Sequence, residues 1–180
     1  MALPAVMRKF EVQLADSDRE LYETIELRVA QHPSESERYL VARVLARVLE
    51  HSEGLEFSKG GVSDDVEPAL VVRNLRNELI AWIEVGAPSP DRLHKATKLC
   101  KRVVIYAWKD PEKQAAAIVE REVHRASEIE LFGLDPAVLD GVAATLDRIN
   151  KWDLAITGGS IYLTIGERLF ETAAPRIAIE

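Results

Sequence analysis

Val103-Val104-Ile105-Tyr106-Ala107-Trp108 is an unbroken apolar run, so a strand made from it has no polar face to turn to water. Such a strand is buried on both sides, as in parallel sheets, and needs packed layers above and below it. This run predicts a sheet covered by helices, in a chain of 180 residues, close to the size of one domain. Hydrophobic residues at 47% and charged residues at 29% are ordinary globular values and argue against a disordered chain. The single cysteine, Cys100, excludes an intramolecular disulfide and a Cys-rich zinc module. No apolar stretch approaches the roughly 20 residues that span a bilayer. Residues 1–8 lack the basic-then-apolar order of an export signal, so the expected location is the cytoplasm, with no membrane partner.

The elements around that strand follow from periodicity. Phe10 to Leu14 and Leu21 to Val29 read as an antiparallel ribbon; Ile25, Leu27 and Val29 alternate with Glu26 and Arg28. At His32-Pro33 the period changes. Ser34 and Glu37 have capping-box spacing, and Leu40, Val41, Val44, Leu45, Val48 and Leu49 form a helical stripe, predicting a helix over 34–51. A short strand or turn around Leu55 to Phe57 precedes a hairpin of Pro68 to Val72 and Leu79 to Val85. Helices are expected from about Asp91 to Lys101, over 111–125 and over Pro136 to Leu146, with a strand at Glu128 to Phe132. Gly158-Gly159 between Asp153 to Thr157 and Ile161 to Ile165 is a two-residue hairpin turn. The fold class is α/β (α+β): one domain over 1–180, a mixed sheet flanked by helices with an added N-terminal hairpin.

Charge narrows the function classes. Lys and Arg number 23 against 30 Asp and Glu, a formal charge of −7, which opposes non-specific attraction to nucleic acid. A locally basic cleft, or a divalent cation offsetting carboxylates, remains compatible with that balance.

Glu84 is the most informative acid, alone in the apolar Ala81-Trp82-Ile83-Glu84-Val85. An unpaired buried carboxylate costs several kcal/mol, so Glu84 faces solvent or sits in a site. Because Trp82 and Ile80 share its face, a cleft position is the better reading. Arg92 and Lys95, three residues apart, are neighbours on the following helix and offer cations to an anionic ligand. Glu35 reads as a first-turn acid complementing the helix dipole, Glu37 as the capping partner of Ser34, and Asp64 and Asp65 as a solvated turn. Glu67, next to a strand, is placed to aim a carboxylate at a shared cleft. Cys100 is a core residue. The four histidines have no metal-ligand spacing, and no G-x-S-x-G, P-loop or G-x-G-x-x-G occurs.

Taken together, His32-Pro33-Ser34-Glu35 leading into an Arg- and Leu-rich helix, Asp65-Val66-Glu67-Pro68, Trp82-Ile83-Glu84-Val85-Gly86-Ala87-Pro88 and Arg92-Leu93-His94-Lys95-Ala96 resemble the bacterial YaeQ family. The resemblance holds in order and spacing across residues 32–96. It implies a variant of the PD-(D/E)XK nuclease fold, with its core at about 32–108. In that superfamily a helix Glu, an Asp following a Pro, and an acid two residues before a Lys gather at the sheet. They hold one or two Mg²⁺ and orient the attacking water. Carried onto this sequence, Glu35 is the helix acid and Glu84 the strand acid. Lys95 is a relocated lysine, since Gly86 stands two residues after Glu84. Glu67 replaces the acid absent at Ala69, after Pro68. The implied metal is Mg²⁺ or Mn²⁺ on Glu84, Glu35 and Glu67, with Lys95 countering transition-state charge and Arg92 holding a neighbouring phosphate. Two functions follow: a metal-dependent phosphodiesterase acting on nucleic acid, or a nuclease-fold protein that binds a nucleic-acid or protein partner without cutting.

Overall fold

The computed structural model of the chain describes residues 3–59 and 67–180, so Asp64 and Asp65 lie outside the described residues. The chain forms two compact units, Met1–Val41 with Asp135–Ala174, and Ala42–Leu134 with Pro175–Glu180.

In the first unit, strict alternation makes long strands. β1 (Val6–Asp16) and β2 (Leu21–Gln31) pair antiparallel from Val6 opposite Gln31 to Asp16 opposite Leu21, longer than the alternating cores predicted. Phe10, Val12 and Leu14 of β1 and Ile25, Leu27 and Val29 of β2 are buried, while the residues between them face outward. β1 also pairs in parallel with β8 (Ile149–Thr157), which folds back through Gly158-Gly159 onto β9 (Ser160–Ile165), followed by β10 (Arg168–Ala173). Both turn glycines have positive φ, 58° and 79°, the values a two-residue turn needs. The sheet order is β10-β9-β8-β1-β2, with Trp152 of β8 meeting Phe10 edge-on at 5.1 Å. The N-terminal ribbon is thus part of a five-stranded sheet of its own, not an appendage to one mixed sheet. A short helix, α4 (Pro136–Ala143), is capped by the Asp135 carboxylate, which accepts the Ala137 N–H.

Helix α1 (Glu37–Leu49) runs from the first unit into the second. Its start differs from the capping-box reading. Ser36 takes the capping role, its hydroxyl accepting the Tyr39 N–H at 3.1 Å, while Ser34 bonds the His32 ring. The residues 32–35 make a turn closed by Glu35 N–H to His32 C=O, and that turn delays the helix.

The second unit holds β3 (Leu55–Phe57), β4 (Leu70–Arg73), β5 (Leu79–Val85), α2 (Pro90–Leu99), β6 (Arg102–Ala107), α3 (Pro111–Glu120), β7 (Glu130–Gly133) and β11 (Arg176–Ile177). Its sheet order is β11-β7-β6-β5-β4-β3. β3, β4 and β5 are antiparallel neighbours, whereas β5, β6 and β7 are parallel, joined by the crossovers of α2 and α3. The apolar run of β6 lies at the middle, with Val103, Val104 and Ile105 no more than 1% exposed. Trp82, Val103, Ile105 and Leu131 pack with Leu93 and Ala96 of α2 and with Ala115 and Ile118 of α3. Helix α3 ends at Glu120, short of the predicted 125, because the chain turns at residues 121–125 into a short 3₁₀ turn, Ala126–Glu128. Strands β10 and β11 were not legible in the sequence.

Candidate functional site at the β5–α2 corner

Glu84 is near the carboxyl end of β5, the strand with an antiparallel neighbour on one side and a parallel one on the other. Gly86 follows with φ of 96°, and the Ser89 hydroxyl caps α2 by accepting the Arg92 N–H at 3.2 Å. This cap sets Arg92 in the first turn, close enough for its side chain to fold back onto the strand.

The result is a paired buried acid. Glu84 is 5% exposed, and its Oε1 accepts from Trp82 Nε1 at 2.8 Å and Arg92 Nε at 2.5 Å. The Arg92 guanidinium lies 5.9 Å from the centre of the Trp82 ring and donates through Nη2 to the Glu67 backbone C=O. One cation thus ties together β5, the chain ahead of β4 and α2. Breaking such a buried pair typically costs about 3–5 kcal/mol, since one charge is left uncompensated.

The other predicted site residues have different surroundings. Lys95 is exposed on α2, one turn beyond Arg92. Glu67 joins the cluster through its backbone carbonyl. Glu35 belongs to the first unit; it is 7% exposed, and its carboxylate accepts the His32 N–H at 3.2 Å instead of standing in a helix's first turn. Among the described residues no three or more His, Cys, Asp or Glu side chains gather as a metal-binding group. Mg²⁺ wants near-octahedral oxygen coordination, and here a guanidinium already sits on Glu84 Oε1. Among the described residues, Glu84 therefore has only its second oxygen, Oε2, left for a metal.

The profile of the YaeQ protein family matches residues 1–174. This chain belongs to the YaeQ family. It is 31% identical over 168 residues to a protein of Escherichia coli (strain K12) described as uncharacterized protein YaeQ, covering 91% of each chain. Its identity to the protein of the same description from Salmonella typhi is 30% over 169 residues, again covering 91% of each. The crystal structure of YaeQ protein from Pseudomonas syringae is similar over 99% of both chains, with TM-score 0.90 and 30% identity. The crystal structure of the Xanthomonas axonopodis pv. citri YaeQ protein has TM-score 0.88 and 27% identity, covering 98% of this chain and 99% of that one. Helices and mixed sheets in an α+β arrangement are therefore the fold of the family. No described helix of this member is long and apolar enough to cross a membrane.

Two further features of this YaeQ-family chain escaped the sequence reading. Arg102, at the start of β6, donates to Glu50 Oε2 at 2.8 Å and Glu130 Oε2 at 2.7 Å, and Glu50 Oε1 accepts the Tyr106 hydroxyl at 2.6 Å. Burial alone would lower the pKa of the Arg102 guanidinium, but its hydrogen bonds to Glu50 and then Glu130 outweigh burial and raise it. The only hint in the sequence is that Arg102 and Tyr106 share one face of β6. The second feature is a pocket of about 460 Å³ beside the β4–β5 turn, lined by Glu53, Arg73, Asn74 and Ile80 among others. Neither Glu84, Arg92 nor Lys95 lines it, so this recess and the paired acid are separate places.

Proposed function

We propose that this YaeQ-family protein binds nucleic acid through the exposed side of α2, on a PD-(D/E)XK-like scaffold whose strand acid serves as a structural clamp. Supporting the scaffold reading is the order α1, β3, β4, β5, α2, β6, an antiparallel strand set followed by a helical crossover to a parallel strand. One observation carries the binding reading. In an acidic chain, the segment 90–101 sets Arg92, Lys95, Lys98 and Lys101 against the single acid Asp91. Lys95, Lys98 and Lys101 are exposed, and none pairs with an acid among the described residues. Arg125 donates to the Lys101 C=O and the His124 N–H to His94 Nδ1, which hold the loop after α3 against this helix. Lysines without acid partners are the groups that displace counterions from phosphates.

Fluorescence anisotropy with labelled single-stranded and duplex DNA and RNA tests it. Binding is expected to weaken with salt at a log–log slope of about −2.7 for duplex, if each lysine meets one phosphate. Replacing Lys95, Lys98 and Lys101 together by Ala should abolish it with an unchanged circular dichroism spectrum. Absence of binding to all four probes at low salt would overturn the reading.

A second reading, phosphodiester hydrolysis with Mg²⁺ or Mn²⁺ on Glu84, Glu35 and Glu67 and with Lys95 as the catalytic cation, has one observation in its favour. Glu84 Oε2 has no hydrogen-bond partner among the described residues. Metal-dependent cleavage of any probe that is lost in Glu84→Gln would establish this reading over the first.

A further inference from the structure

β2 is the last strand in its sheet, with β1 as its one strand neighbour among the described residues. It runs for 11 residues without a proline or a bulge, and so lacks two of the devices that usually blunt a sheet edge. Its faces are cleanly divided, with Ile25, Leu27 and Val29 buried and Glu26 and Arg28 exposed.

Its pairing with β1 leaves those two charges badly placed. Glu26 lies opposite Glu11 and Arg28 opposite Lys9, two like-charge pairs across one antiparallel ladder. Like charges directly opposite each other are destabilising. Glu11 has Lys151 of β8 on its other side, whereas Glu26 is at the edge. Neither Glu26 nor Arg28 makes an ion pair with a described residue.

We propose that β2 is the contact between two copies of this chain, pairing antiparallel with β2 of the second copy about a twofold axis at Leu27. The axis must stand normal to the sheet, so that both buried faces stay on the same side. That symmetry places one residue opposite its own counterpart and excludes half-step registers. With Leu27 at the centre, Ile25 lies opposite Val29 and Glu26 opposite Arg28, each pair occurring twice. Every misplaced charge then gains an opposite neighbour on its open side. The adjacent permitted centres, Glu26 and Arg28, would each put two identical charges face to face on the axis. The charge pattern therefore selects one register, and the product is a continuous ten-stranded sheet, five strands from each copy.

Sedimentation equilibrium over a wide concentration range tests this. The full chain is expected to reach twice its 20.1 kDa mass. Glu26→Arg and Arg28→Glu, each folded by circular dichroism, should stay at the single-chain mass, because each sets like charges across the axis. Mixed in equal amounts, the two variants should associate again, since every introduced charge then meets its opposite. A wild-type chain that stays at the single mass overturns the proposal. So do single variants that still double, or two monomeric variants that fail to associate on mixing.

Discussion

Arg92 closes on Glu84 at 2.5 Å, joining the first turn of α2 to the carboxyl end of β5. The pair is nearly dry, with Arg92 22% and Glu84 7% exposed in their side chains. A charge here is tolerated only because its partner is present. Arg92→Ala is expected to cost about 3–5 kcal/mol in urea unfolding, because Glu84 is left buried without its cation. Glu84→Gln keeps an acceptor for Trp82 Nε1 and should cost less. Replacing both residues by apolar side chains of similar volume should recover most of the loss, and a double variant as unstable as Arg92→Ala would refute the desolvation argument.

Asp18 supplies a pH-dependent contact in the first unit. Its carboxylate accepts the Gly159 and Gly158 N–H groups at 2.8 and 2.7 Å, and these bonds hold its pKa below the ordinary 3.8. A carboxyl depressed on folding contributes stability above its unfolded pKa, and that contribution fades as pH falls through the folded value. The melting temperature of the wild-type chain should exceed that of Asp18→Ala by a constant margin from pH 7 to about pH 5. The margin should shrink once the pH drops below 3.8. A margin that is unchanged at the acid end would show that the turn is held by something other than this carboxylate.

Tyr106 gives the alkaline counterpart in the second unit. Burial first, and then the Glu50 carboxylate, push its phenol well above the ordinary 10.0. The neutral phenol is thus favoured on folding, so its contribution to stability is complete below pH 10.0 and declines as pH rises further. In an absorbance titration, Tyr106→Phe should lack a tyrosinate step that the folded wild-type chain shows only well above pH 10.0. The substitution should also cost about 1 kcal/mol at neutral pH, the usual net worth of one hydrogen bond. A tyrosinate step near pH 10.0 that the wild-type chain shows and Tyr106→Phe lacks would contradict the bond to Glu50.

Local pattern was enough for much of this molecule. The alternation of Ile25, Leu27 and Val29 with charges and the Gly158-Gly159 turn are short-range facts, and both elements formed where their pattern required. Glu84 stood out for the same reason, since one acid in an apolar run has few permitted environments. Arg92 stood out too, but as a cation for an anionic ligand; that it closes on Glu84, eight residues back, came from the fold.

Contacts between distant segments had no such signature. Val12 beside Trp152 brings β1 against β8, and that pairing made two sheets where one was expected. Arg102 of β6, Glu130 of β7 and Glu50, just past the end of α1, meet from distant segments, so nothing in the spacing of the three announces them. The backbone period of a segment is settled by its own side chains. Which segment lies next to it is settled by where apolar surface and buried charge from the whole chain find partners, and only the folded structure decides that.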